Sequence, residues 1–335
     1  MISVKVAVSR PWENLMHRVS AVLLCCVAAM LTVRANAADT LRVGKAVAFA
    51  WTFTPLDIGI ETGIFAKYGL NIEASAAAGD AKLQQAITGN SLDIGIGSGP
   101  GLAFMAKGVP AKAVAAMAGV PRNMAVMVGY DSSIKTVDDL KGKKLGVTTV
   151  GSLTDWIGKR IGTIKGWGTN GITTVPIGGM PPARAAIKTN QIDGYIGALE
   201  VGYSLEEVKE WRVITTATPF VHDFITHVIF VRNELIEKHP EQIRAFLQGW
   251  FETIAYMKAN KDKAVAISAK VLDLSPSVVS RAYDEQIGIF SADGVFDPKA
   301  VAALKDSFLE MGLLKDKPDD SVMFTTKFVP VTLGK

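Results

Sequence analysis

Cysteine is nearly absent: the 335 residues hold only two, Cys25 and Cys26, side by side near the N-terminus. Beyond them the chain has no thiol, which excludes a disulfide framework, a thiolate nucleophile and a cysteine metal site there. Histidine is scarce at four residues. Net charge is small too, since the formal +4 falls to +1 once the four bases and one acid of residues 1–37 are set aside. A surface so close to neutral lacks the basic footprint of a nucleic-acid binder. After residue 33 no apolar run is long enough to span a bilayer, and no low-complexity stretch or flexible linker interrupts the pattern.

What is present begins with an export signature. Lys5, Arg10 and Arg18 form a basic leader, residues 19–33 form a 15-residue apolar core, and Ala35-Asn36-Ala37 supplies a small-x-small cleavage site. A spanning helix needs about 20 apolar residues, so a cleaved signal over residues 1–37 is expected rather than an anchor. Leu23-Leu24 before Cys25 lacks the small residue of a lipoprotein site. The mature chain is expected to start at Ala38 and to work in the periplasm.

Residues 86–97 and 186–197 are weak copies of each other. Ala86, Ile87, Asn90, Asp93, Ile96 and Gly97 match Ala186, Ile187, Asn190, Asp193, Ile196 and Gly197 at one offset. In both, an amphipathic segment meets a polar stop, then an aspartate opens a short apolar strand. The period is too long for a solenoid, which repeats every ~20–50 residues. It predicts two similar α/β lobes, with a ligand cleft where they meet. Strands and helices alternate to about residue 232, and then the pattern turns helical over 240–259, 261–271, 276–283 and 298–311. The turn-rich Asp131-Ser132-Ser133, after the apolar run 124–129, is read as the first crossing between lobes, and 222–227 as the return. This gives lobe one as 38–130 plus 225–335, and lobe two as 131–224.

Three ordered segments carry a family resemblance. Gly63-Ile64-Phe65-Ala66-Lys67-Tyr68-Gly69-Leu70-Asn71-Ile72, following a helix opened by Pro55, is one; Ala86-Ile87-Thr88-Gly89-Asn90-Ser91-Leu92-Asp93-Ile94-Gly95 is the second; Val137-Asp138-Asp139-Leu140-Lys141-Gly142-Lys143-Lys144-Leu145-Gly146-Val147 is the third. Together they resemble the periplasmic solute-binding proteins of ABC importers for sulfonates, taurine, nitrate and thiamine-pyrimidine precursors, over residues 41–315. The resemblance implies an α/β, two-lobed type II periplasmic-binding-protein fold. Each lobe would be a mostly parallel sheet flanked by helices, with a helical C-terminal region. It also implies no catalysis and no cofactor. Relatives that make the thiamine pyrimidine or cleave carbon–sulfur bonds depend on a cysteine-bearing site, which residues 38–335 lack.

Ligands of parallel sheets sit beyond the carboxyl ends of the strands. The loops expected there contribute Trp51 and Thr52, Ser98 and Gly99, Thr149, Gly151 and Ser152, and Glu200. Two helix starts facing each other, after Ser98 and after Ser152, would present free amides to an anion; equally, both serines would simply cap their helices. Trp51 would stack on a ligand or pack in the core, and Trp156 fits core periodicity better. Glu200 would bind an amino group, which favours an amine or aminopyrimidine, or would only complement a helix dipole. His222 is assigned a cleft or hinge hydrogen bond. Metal ligation with His227 is disfavoured, because five residues along a strand reverse the face. Arg184 would reach an anion or lie on a solvated helix face.

The expected function is capture of a small organic solute, an anion such as a sulfonate or carboxylate first, by hinge closure. A monomer would deliver it to an inner-membrane ABC permease. An amine or aminopyrimidine ligand, a ligand-sensing partner of a membrane receptor, and an enzyme on this scaffold remain the alternatives.

Overall fold

The computed structural model describes residue 3 and residues 39–334, so the expected signal over 1–37 lies outside the described residues. The alternation of strand and helix resolves into two five-stranded sheets. The first is ordered β2 (Leu70–Ala76), β1 (Asp39–Lys45), β3 (Ile94–Ser98), β10 (His227–Arg232), β4 (Ala111–Ala118). The second is ordered β7 (Thr173–Pro176), β6 (Lys144–Val147), β8 (Gly194–Ala198), β5 (Met124–Gly129), β9 (Trp211–Thr216). In each sheet four strands share one direction and the fourth in line, β10 or β5, runs against its neighbours. The order is the same in both, which makes the sheets topological copies.

The internal repeat falls on equivalent parts of those copies. Helix α1 (Asp80–Thr88) leads into β3, and helix α2 (Met180–Lys188) leads into β8. Asn90 and Asn190 both take positive φ, 59° and 54°, closing each helix in the left-handed conformation that asparagine tolerates. Asp93 accepts a bond from the Arg42 amide at 2.9 Å, and Asp193 accepts one from the Lys144 amide at 2.8 Å. Each aspartate thereby fixes where its strand begins beside β1 or β6.

One boundary differs from expectation. Met124–Gly129, assigned from the sequence to the end of lobe one, is β5 and pairs with β8 and β9 of the second sheet. The chain therefore crosses at residues 119–123, not at 129–133. The apolar run fits a central strand of either sheet, so its composition could not choose. The return runs over 217–226 and reaches β10, where His227 is the register partner of Ala118.

The remaining helices that matter are α3 (Leu153–Ile164), α4 (Leu199–Glu207), α5 (Pro240–Ala259), α6 (Pro276–Gln286) and α7 (Pro298–Glu310). Of the C-terminal helices, α5 packs on β2 and on the helix over Thr54–Glu61, α6 on α4, and α7 on α3. α5 buries Phe246 and Trp250, and Phe246 stacks on Phe65 at 5.3 Å. A side chain at Gly249 would meet Phe65 at 2.6 Å, so glycine sets how closely α5 approaches. Among the described residues no helix is long and apolar enough to cross a membrane.

Candidate functional site

A cleft of about 430 Å³, mouth included, opens where the carboxyl ends of the parallel strands of both sheets meet. From the first sheet come Ala46, Val47, Phe49, Ala50 and Phe53 after β1, Ser98 ending β3, Asp80 opening α1, and His227 starting β10. From the second come Asn123 and Met124 at β5, Thr148 after β6, Leu153 and Thr154 of α3, and Gly197 and Ala198 of β8. The walls are apolar and aromatic, with polar side chains spaced along them. No lysine or arginine lines the cleft among the described residues.

Asp80 is buried, and both its oxygens are held by one residue: the Ser98 amide donates to Oδ1 at 2.7 Å and the Ser98 hydroxyl to Oδ2 at 2.9 Å. Burial pushes its pKa up, and the two Ser98 donors pull only partly against that. Gly97 leaves room for this carboxylate, since a Cβ there would lie 2.8 Å from Oδ1. Nearby, Asn123 Nδ2 lies 3.2 Å from His227 Nε2 and 3.4 Å from Thr52 Oγ1. Burial lowers the His227 pKa to about 3, so its imidazole is neutral at physiological pH. Asn123 Oδ1 has no hydrogen-bond partner among the described residues. Thr148 and Thr154 complete the polar set, with Thr154 Oγ1 accepting from the Thr148 amide at 3.0 Å.

The sequence-named residues divide between cleft and scaffold. Ser98 lines the cleft; Thr52 stands one bond behind it. Trp51 is fully buried away from it, edge-on to Tyr283 at 5.8 Å and tilted against Phe290 at 5.6 Å. Gly99 donates its amide to Thr226 O and is pressed against Ile225. Thr149 bridges the halves, its Oγ1 lying 3.4 Å from the Ala81 amide. Gly151 sits at φ +77° against Leu313 and donates to Asp155. Ser152 caps α3, its Oγ accepting from the Asp155 amide at 3.3 Å. Trp156 donates Nε1 to Glu310 at 2.8 Å and stacks on Phe224 at 4.1 Å. Arg184 is paired with Glu210 on an exposed face.

His222 is exposed and lines a separate groove with Arg160, Asp306 and Glu310, while His227 is the histidine at the cleft. The two expected helix ends are also unequal. After Ser98 the chain makes a 3₁₀ turn, Gly99–Leu102, and the amides of Ser98 and Gly99 are already spent on Asp80 and Thr226. The full helices that start at the cleft are α1 with Asp80, α3 with Leu153 and α4 after Ala198.

Glu200 crosses between the halves. From the first turn of α4 its Oε1 accepts the Trp51 amide at 2.5 Å and its Oε2 accepts Gln286 Nε2 of α6 at 3.1 Å. Burial pushes its pKa up against those two bonds. Replacing it with alanine is expected to strand both buried donors and cost ~1–3 kcal/mol of stability without ligand. A urea melt tests this, and an unchanged midpoint would make Glu200 a bystander.

Asp80, Asn123, Thr148, Thr154, Phe49 and Phe53 were not singled out from the sequence, and His227 was weighed only as a metal partner of His222. Thr148 precedes the named Thr149, Gly151 and Ser152 and Thr154 follows them, so the loop was found and its contact residues were not. Asn123 was hidden by the misplaced crossing.

A family model described as NMT1/THI5 like matches residues 51–264. The chain belongs to the NMT1/THI5 like family. Among its relatives, a binding protein of Brucella abortus is 27% identical over 237 residues, 69% of this chain and 71% of that one. A Bacillus subtilis protein named for binding aliphatic sulfonates is 24% identical over 234 residues, 68% and 69% of the two chains. In structure, this NMT1/THI5-like chain is similar to the alkanesulfonate-binding protein of Xanthomonas axonopodis pv. citri bound to MOPS. Their TM-score is 0.72 at 18% identity, covering 83% of this chain and 95% of that one. At that identity the likeness shows the fold, the two-lobed architecture of periplasmic binding proteins.

Proposed function

We propose that this protein is the extracytoplasmic solute-binding component of an ABC import system. Residues 39–118 with 227–334 form one lobe and 124–216 the other, and the two crossings between them act as the hinge. A small organic solute enters the cleft, the lobes close on it, and the closed form docks on an inner-membrane permease. The observation that carries this reading is the cleft itself, lined by strand ends of both sheets and holding an unpartnered, buried Asn123 Oδ1. A buried polar atom without a partner is costly, and a bound solute would supply one. Closure around ligand is a common hinge transition of such folds. The export signature and the names of the relatives point the same way, toward capture rather than catalysis.

The test is a thermal-shift screen of the purified protein against organic anions, amines and neutral metabolites, followed by small-angle scattering with any hit. A ligand at 100 times its Kd stabilises by about 2.7 kcal/mol, which raises the melting midpoint by a few degrees. The expected hit also shrinks the radius of gyration. A library-wide absence of shifts would sink the receptor reading.

A further inference from the structure

The charges of the cleft are one-sided. Its single ionisable acid is Asp80, and among the described residues no cation answers it: its carboxylate takes the amide and hydroxyl of Ser98 and its own backbone amide. Of the basic residues beside the lining in sequence, Lys45 is buried and holds both oxygens of Asp57 at 3.0 and 2.8 Å, while Lys82 and Arg122 are exposed and do not line the cleft. His227 is the other titratable side chain in the cleft and is neutral. A carboxylate buried without a counter-ion is unfavourable, and a site that supplies the missing charge gains from it. The second open position is again an acceptor, Asn123 Oδ1, on a side chain only 1% exposed. Phe49, Phe53, Met124 and Leu153 supply apolar wall beside these acceptors.

We propose that the cleft selects a compact organic cation, an amine, amidine or guanidine head on an apolar body, with its N–H groups donated to Asp80 and to Asn123 Oδ1. This rests on the receptor reading and deepens it. A cationic head meets an unmatched carboxylate, and charge-assisted bonds of this kind are short and strong. A sulfonate or carboxylate in the same place faces Asp80 with no basic side chain to offset it. Only backbone amides would favour it, at the first turns of α1, α3 and α4, because those of Ser98 and Gly99 are already bonded.

Isothermal titration of the purified protein with matched pairs tests the inference: benzamidine against benzenesulfonate, and butylamine against butanesulfonate. At least one cation is expected to bind ten times or more tightly than its matched anion. Asp80→Asn keeps an acceptor for the Ser98 amide, with the Ser98 hydroxyl able to accept from its Nδ2, and is expected to weaken that cation at least tenfold. Asn123→Ala leaves the Ser98–Asp80 pair intact and is expected to weaken it about fivefold. Tighter binding of the sulfonates overturns the inference while leaving the receptor reading standing. Cation affinity untouched in both variants overturns it as well, by placing the binding elsewhere. Binding of none of the four probes also overturns it, whereas the receptor reading stands or falls on the broader screen and the scattering.

Discussion

Asp93→Ala is expected to lower the unfolding free energy by ~3–5 kcal/mol, because it removes the common partner of two arginines. Asp93 accepts from Arg42 Nε at 2.9 Å and Nη2 at 2.8 Å, from the Arg42 amide, and from Arg232 Nη2 at 2.8 Å. Burial alone would raise its pKa, but these donors outweigh burial and bring it down to about 2 from an ordinary 3.8. A depressed folded-state pKa stabilises above the unfolded value, and the contribution is lost as pH falls from near 4 toward 2. The advantage of the wild type over Asp93→Ala is therefore expected to be full at pH 7 and to shrink by about 2 kcal/mol as the pH is taken down through that range. The repeat supplies an internal control. Asp193, at the matching place, accepts the Lys144 amide, and no arginine holds it. Asp193→Ala is expected to cost about 1 kcal/mol, the worth of an ordinary hydrogen bond. Paired urea melts of the two variants settle the matter: equal losses would show that the arginines add nothing.

Gly99→Ala is expected to cost about 3 kcal/mol or more. A Cβ at this position would stand 1.9 Å from the carbonyl oxygen of Ile225, with Leu304 at 3.1 Å on the other side. The oxygen belongs to backbone that is itself pinned, since the next amide, Thr226, donates to Ala118 and Gly119. No side-chain rotation relieves such a clash, so β3 and the return crossing must separate. Solute affinity is expected to fall along with stability, because Ser98 precedes the displaced residue and His227 follows the displaced crossing. Gly288→Ala is the matched control, with nothing within 4 Å of its added methyl, and is expected to change stability by less than about 0.5 kcal/mol. Chemical denaturation measures both, and a Gly99→Ala loss as small as that of Gly288→Ala would show that the crossing yields freely.

The features that were legible in the sequence are those written locally. The helix stop at Asn90 and Asn190 and the aspartate at the mouth of the next strand are short-range devices, so the duplicated lobes could be read from twelve residues. The pairing of β5 is different. Met124 to Gly129 is apolar and strand-like in either sheet, and its place is fixed by β8 and β9, which lie about 70–90 residues further along. The site shows the same division. The loop after β1 was found, but a 3₁₀ turn over Trp51–Phe53 rotates Trp51 into the core and leaves Phe49, Ala50 and Phe53 on the cleft. Ser152 proved to be the cap its position suggests. Asp80 reads as an ordinary acid in a first helical turn; only the fold buries it against Ser98 and surrounds it with apolar wall.

The register pairing of His227 with Ala118 bears on the order in which the chain can assemble. The second sheet is drawn from one unbroken stretch, from β5 to β9, so all its strands are available together. The first sheet needs β10 between β3 and β4, and β10 follows the whole of the second sheet in sequence. Until then β3 has one open edge and β4 has no neighbour at all. Pairings at such long sequence separation close a large loop before they gain anything, which makes them slow. The half that begins the chain is the half that finishes last.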